Sequence, residues 1–317
     1  MTWSTSAYIY LLLCIFCFAT SVESNSRKID DIRDIRHADE IDASKILLSF
    51  YTCNATNETS IDCLIQDLNC IENAYKLINK DKRESTVFIH GYHRNKEPIQ
   101  NIISAYCSRN ISTIALLDWT QLQPEQVNLM VTNWTSAIGR IVASTFDTLK
   151  NKGYNVEAWH LIGHSMGAHI AGCIGTYTNF SWLHITGLDP AGVVFYTDMY
   201  EGCQINPDVA NLTDIFYTDG NGYGTIREVG TLNIYANTGT APQPGCCSSS
   251  NIQWCGHFKA IEWYADAVRN ETKYSAIKCT NCFIFLHFYD YCEKNNRVYL
   301  GPHINEKASG NYCLAIN

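Results

Sequence analysis

Short apolar, β-branched runs alternate along the chain with longer stretches whose apolar positions recur every three or four residues. Thr86 to His90 (TVFIH) reads as a buried strand stopped by Gly91. Ile46 to Thr52, Ser112 to Trp119, Val156 to Ile162, Leu183 to Leu188, Thr213 to Thr218 and Thr231 to Tyr235 read the same way. Helical patterns fall on Pro98 to Ser108, on Asn128 to Lys150 and on Ala168 to Tyr177, with a last helix over His257 to Val268. In the longest, Met130, Trp134, Ile138, Phe146 and Leu149 share a face, and Gly153 closes it. Cys53 to Cys70 reads as loops with a short helix. Strands alternating with helices predict an α/β fold, its mostly parallel sheet covered on both faces.

Two segments change this picture at the start of the chain. Tyr8 to Ala19 is an apolar run too short to span a bilayer, followed by small residues suited to cleavage after Ser24. Residues 1–24 therefore read as a secretory signal peptide, although Met1 to Ala7 carries no Lys or Arg. Residues 25–45 are charged and irregular, a leader segment, and residues 46–317 form a single domain. The closing stretch from Cys279 is too short for a domain of its own.

Composition narrows the function class. Thirty-one acidic against 23 basic residues give a net charge of -8, which excludes a phosphate-neutralising nucleic-acid binder. It also removes electrostatic attraction to anionic membranes, so contact with lipid has to be apolar. Of 15 cysteines, Cys14 and Cys17 leave with the signal; the remaining 13 read as disulfides plus one thiol that is free or paired between chains. Sequons at Asn54, Asn57, Asn110, Asn133, Asn179, Asn211 and Asn270 agree with export. The expected location is secreted and extracellular, with no integral membrane segment in the mature form.

The chemistry centres on Gly163-His164-Ser165-Met166-Gly167, a G-x-S-x-G run between an apolar strand and a small-residue helix. Such a turn lifts the serine hydroxyl above the sheet edge and aims helix N-terminal amides at a developing oxyanion. A serine needs a base, and the base a carboxylate. In an α/β-hydrolase fold the order is Ser, acid, His. Asp189 ends the next strand. His257 opens the last helix, on a loop able to reach the sheet edge. His184 precedes Asp189, and His287 and His303 lie in the cysteine-rich tail. The catalytic candidates are therefore Ser165, Asp189 and His257. The N–H groups of Met166 and of Tyr92, after Gly91, are the oxyanion candidates. His160, His164 and His169 fall on a strand, a turn and a helix, and do not share a face as metal ligands would.

HGY (His90 to Tyr92), DW (Asp118-Trp119), LIGHSMGAHIAG (Leu161 to Gly172), ITGLDPAG (Ile185 to Gly192), YTDG (Tyr217 to Gly220), QPGC (Gln243 to Cys246) and CGHFKAIEWY (Cys255 to Tyr264) together resemble the pancreatic-lipase family. The resemblance covers roughly residues 46 to 317, and it implies an α/β-hydrolase fold, the same triad and the same oxyanion pair. Members often carry a C-terminal β-sandwich domain; none is expected within this length, as in the insect and venom phospholipase A1 branch. The family's lid falls between Cys246 and Cys255, the lid disulfide, with Cys247 a rival for the pairing. Its eight residues would span only about 12 Å as a helix. Short lids in the family go with phospholipase A1 or galactolipase activity more than with triglyceride hydrolysis. The resemblance thus implies a serine esterase of phosphatidylcholine 1-acylhydrolase type, acting on lipid esters at membrane or micelle surfaces. A triglyceride or galactolipid lipase, or a non-catalytic lipid-binding or storage protein, is the alternative. No cofactor is required for catalysis. Some members hold a structural calcium, whose ligands would fall at Glu201, the backbone oxygen of Gln204, Asn206 and Asp208. Asn206 replaces an expected acid, so plain solvated loop acids are the preferred reading there.

Overall fold

The central strands form because β-branched and other apolar residues fill both faces of one sheet. A computed structural model describes residues 41–53, 58–79, 84–92, 97–110, 112–123, 129–192, 194–197, 200, 202–282 and 292–317. The signal peptide, most of the leader and His287 lie outside them. Asp42–Asn317 is one compact unit. Its strands are β1 (Leu47–Cys53), β2 (Glu58–Leu64), β3 (Glu84–Ile89), β4 (Ser112–Asp118), β5 (His160–His164), β6 (Trp182–Leu188), β7 (Ala210–Tyr217), β8 (Leu232–Ala236), β9 (Ser275–Lys278), β10 (Glu293–Tyr299) and β11 (Gly310–Leu314). They run in the order β10-β9-β11-β8-β7-β6-β5-β3-β4-β1-β2. From β11 to β4 every neighbouring pair is parallel, and antiparallel strands close both edges. This is the α/β-hydrolase fold.

Five helices are described: α1 (Leu68–Ile78), α2 (Glu97–Arg109), α3 (Leu129–Asn151), α4 (Met166–Tyr177) and α5 (Ile252–Arg269). α2 packs with α5, and α3 with α4. Phe88, Leu116, Ile162, Leu188 and Phe216 share a cluster with Ile102 and Ile103 of α2 and Ile261 and Tyr264 of α5. The alternate strand residues Val87, Ile89, Leu161, Ile185 and Ile215 are equally buried. Both faces of the central strands are therefore covered, as parallel strands require.

Three local expectations are corrected, and the tail takes a place in the sheet. Cys53 to Cys70 contains β2, paired antiparallel along all of β1, where loops were expected. Val156 to Ala158 is a 3-10 turn, and β5 begins only at His160. The tail from Cys279 supplies β10 and β11 to the same sheet. Finally, α5 begins at Ile252, five residues before His257, because the Asn251 side chain accepts a hydrogen bond from Trp254 N at 2.9 Å and caps the helix. His257 thus projects from a helix.

Among the described residues six disulfides are formed: Cys53–Cys107, Cys63–Cys70, Cys173–Cys203, Cys246–Cys255, Cys279–Cys292 and Cys282–Cys313. Cys279 and Cys282, a C-x-x-C pair, are thus split between two bridges. Cys247 is the free, exposed thiol among the described residues. No helix among them is long and apolar enough to cross a membrane.

Candidate active site

Two neighbouring strand ends build the site. His164 pairs in register with Leu188, and Leu188 with Phe216. The next residues keep that register: Ser165 N donates to Leu188 O at 3.0 Å, and Asp189 N to Phe216 O at 2.7 Å. Ser165 and Asp189 thus stand side by side at the carboxyl edge of the sheet, the usual ligand-binding edge of an open α/β sheet. Both have left-handed backbone angles, φ 56° and 42°. Neither is glycine, so each stores strain at this edge. The turn at Ser165 closes because its flanking glycines admit close contact. A Cβ on Gly163 would lie 2.3 Å from Gly167 O, and one on Gly167 2.1 Å from Ile89 O.

His257 reaches the same edge from α5. Its Nδ1 lies 2.6 Å from Asp189 Oδ2. A carboxylate only accepts, so Nδ1 carries the proton and Nε2 is free to act as a base. Asp189 Oδ1 accepts from the N–H groups of Thr218 and Asp219 at 2.8 and 2.9 Å. Asp189 is fully buried and His257 is 2% exposed. Gln243 holds this loop in place, donating to the carbonyls of Thr218, Ala236 and Thr240. The Ser165 hydroxyl makes no hydrogen bond among the described residues, and catalytic hydrogen bonds of this kind often tighten only when substrate is bound.

The oxyanion candidates flank the serine. Met166 is the first residue of α4, where amide protons lack helical partners. Gly91 lies against Ser165: a Cβ there would fall 2.7 Å from that of the serine. The Gly91 carbonyl accepts from His90 Nδ1 at 2.7 Å and Gln123 Nε2 at 3.1 Å. A trans peptide points its N–H opposite to its C=O, so the Tyr92 N–H faces away from these two donors. His90 is itself stacked on Trp119, whose Nε1 donates to His90 O at 2.9 Å. Burial opposes ionisation of the Asp118 carboxyl, yet the neighbouring His90 ring and hydrogen bonds from Thr120 hold it below the usual range.

Several further residues meet at the site, of which only Asp219, in the YTDG run, carried a signal in the sequence. Tyr223 and Trp254 face His257 with ring centroids at 5.6 and 6.5 Å. Asp219 lies close behind the Asp189–His257 pair. Its Oδ2 accepts from Tyr223 N at 2.8 Å, while Oδ1 is buried without a partner among the described residues. Burial, reinforced by the nearby Asp189 carboxylate, pushes the Asp219 carboxyl up to about 6, against the pull of the Tyr223 amide. An acid raised in the folded state stabilises below its unfolded pKa, and that contribution is lost as pH rises through about 6. Asp219→Asn is therefore expected to gain on the order of 2 kcal/mol at pH 8 and little at pH 4. Calorimetric melts at the two pH values check this; an equal shift at both would count against it.

The remaining candidates are dispersed. His160 Nε2 bonds Thr186 Oγ1 at 2.7 Å, His164 Nε2 bonds His257 O at 3.1 Å, and His169 Nε2 bonds Ala191 O at 2.8 Å. Burial lowers His169 to about 3, so it stays neutral. His303 lies elsewhere, between Glu84 and Glu271. Of the calcium candidates, Glu201 lies outside the described residues. Asn206 Nδ2 donates to Gln204 O at 3.1 Å, and Asn206 Oδ1 accepts from Asp208 N at 2.9 Å.

Comparison with known proteins agrees with this architecture. Lipase member H-B of Xenopus laevis is 30% identical over 241 residues, covering 70% of this chain and 52% of its own length. Lipase member H of Oryctolagus cuniculus is 25% identical, covering 76% and 56% respectively. Pancreatic triacylglycerol lipase of Myocastor coypus is 29% identical, covering 63% and 50%. The chain therefore spans about half the length of the curated relatives it matches. Residues 12–313 match the family described as Lipase, and on that match the chain belongs to the Lipase family, that of the pancreatic lipases.

Proposed function

We propose that the protein is a secreted serine esterase that hydrolyses lipid esters, of phospholipase A1 type, through an acyl-enzyme on Ser165. The observation that carries this reading is the 2.6 Å contact of His257 Nδ1 with Asp189 Oδ2, on the strand end beside Ser165. In the first half-reaction Ser165 Oγ attacks the ester carbonyl carbon and its proton passes to His257 Nε2. The carbonyl oxygen becomes an oxyanion held by the N–H groups of Met166 and Tyr92. Collapse breaks the bond to the alcohol oxygen, which takes the proton from His257. Water then repeats the sequence on the acyl-enzyme and releases the fatty acid. Family membership supports the ester-hydrolase class. The six disulfides support an oxidising, extracellular location.

Two features favour phospholipid. Only eight residues separate Cys246 from Cys255, and the last of them belong to α5, so little chain is left to roof the site. Tyr223, Ile226, Ile252 and Trp254 are exposed on the two segments beside His257. Apolar and aromatic groups at a site mouth suit contact with a lipid surface, and a net charge of -8 favours a zwitterionic one. Purified protein on phosphatidylcholine, triolein and galactolipid is expected to release fatty acid fastest from phosphatidylcholine, from the sn-1 position. Faster release from triolein would replace this reading with a triglyceride lipase. No release from any ester would leave a lipid-binding protein.

A further inference from the structure

His164, directly before Ser165 in the G-x-S-x-G run, is 1% exposed and sits among all three working parts of the site. Its Nε2 lies 3.1 Å from the backbone oxygen of His257. A carbonyl only accepts, so Nε2 carries the proton and donates. The two imidazole rings pack at 4.5 Å and 47°, and the His164 ring also meets Phe258 at 5.2 Å. On the other side, a Cβ placed on Gly91 would come within 3.2 Å of His164 Nδ1 and 3.0 Å of His164 O. One buried ring thus spans the oxyanion segment and the helix that bears the base, and it is covalently next to Ser165.

We propose that His164 is a positioning residue that anchors the main chain of His257 through its Nε2–H. Asp189 fixes only the ring of His257. The backbone beneath that ring is exposed to a mechanical disturbance, because Cys255 lies two residues earlier and is tied to the lid segment by its bridge to Cys246. Any displacement of residues 247–251 by a lipid surface pulls on the first turn of α5. A helical carbonyl uses one acceptor position for the N–H four residues on and keeps a second free. His164 occupies that second position at His257. It therefore holds the base at a fixed distance from Ser165 while the lid segment moves. A near-attack geometry lost by about 1 Å costs about 100-fold in rate, so a single buried hydrogen bond suffices to matter.

The assignment rests on the esterase reading above, and the test separates the two. Gln keeps an amide donor at the length of Nε2; Met and Phe fill the space without one. Rates on soluble p-nitrophenyl butyrate are measured with protein that retains the wild-type unfolding transition. His164→Met and His164→Phe are expected to lose about 10- to 100-fold in kcat with KM within about twofold, and His164→Gln to keep kcat within about threefold. Should the Phe variant fail to fold, the Met–Gln pair decides alone. Equal kcat in Met and Gln variants, whether high or low, overturns the proposal, as does a loss expressed in KM. An inactive wild-type protein, or full activity in Ser165→Ala, would instead defeat the esterase reading on which it stands.

Discussion

Ser165→Ala is expected to lower kcat on a soluble ester by roughly a thousand- to a million-fold with no loss of stability. Removing the nucleophile leaves only substrate binding and the oxyanion donors, and these give limited acceleration over water. The fold has no stake in the hydroxyl, which makes no hydrogen bond among the described residues. The strain belongs to the backbone at φ 56°, and alanine inherits it unchanged. Steady-state rates paired with thermal unfolding measure both halves of this expectation. A variant with native unfolding and undiminished turnover would move the chemistry away from Ser165.

Asp189→Asn should cost about 10,000-fold in kcat while preserving the structure. The carboxamide oxygen would take over the amides of Thr218 and Asp219, now 2.8 and 2.9 Å from Oδ1. Its NH2 group then faces His257 Nδ1. Two donors cannot pair, so the imidazole must place its proton on Nε2, the nitrogen required to accept from Ser165. Binding of substrate does not depend on that proton, and KM should change little. Asp219→Asn is the control: it removes a carboxylate of the same cluster without touching Nδ1, and its kcat should fall far less. Comparable losses in both variants would show that the summed negative charge, and not the tautomer, supports the base.

How much of this was legible in the sequence differs between the centre and the rim. Central strands such as Thr86 to Ile89 and Ile185 to Leu188 are buried on both faces, so composition alone marks them. The edge strands were not legible. Glu58–Leu64 and Glu293–Tyr299 are largely polar and exposed, and they are strands only because β1 and β9 offer open edges. The early start of α5 did carry a signal, since Asn251 is a capping residue placed three before Trp254. Of the cysteine pairings, the resemblance implied Cys246–Cys255 alone, which is formed; the rest carried no signal, because many connectivities are open and only proximity selects among them.

The site divides in the same way. Gly163, Ser165 and Gly167 declare themselves because a tight strand-to-helix turn accepts few residue types, and the order of Ser165, Asp189 and His257 limits the choice of partners. Local sterics and chain order therefore determined the nucleophile, the acid and the base as candidates. Only the tertiary structure decided that strand register sets Ser165 beside Asp189, and that Asp219 is buried behind them. It also decided that His164 meets the backbone of a residue 93 positions away. Such contacts depend on distances between segments remote in the chain, and a linear pattern holds no record of those distances until the sheet has closed.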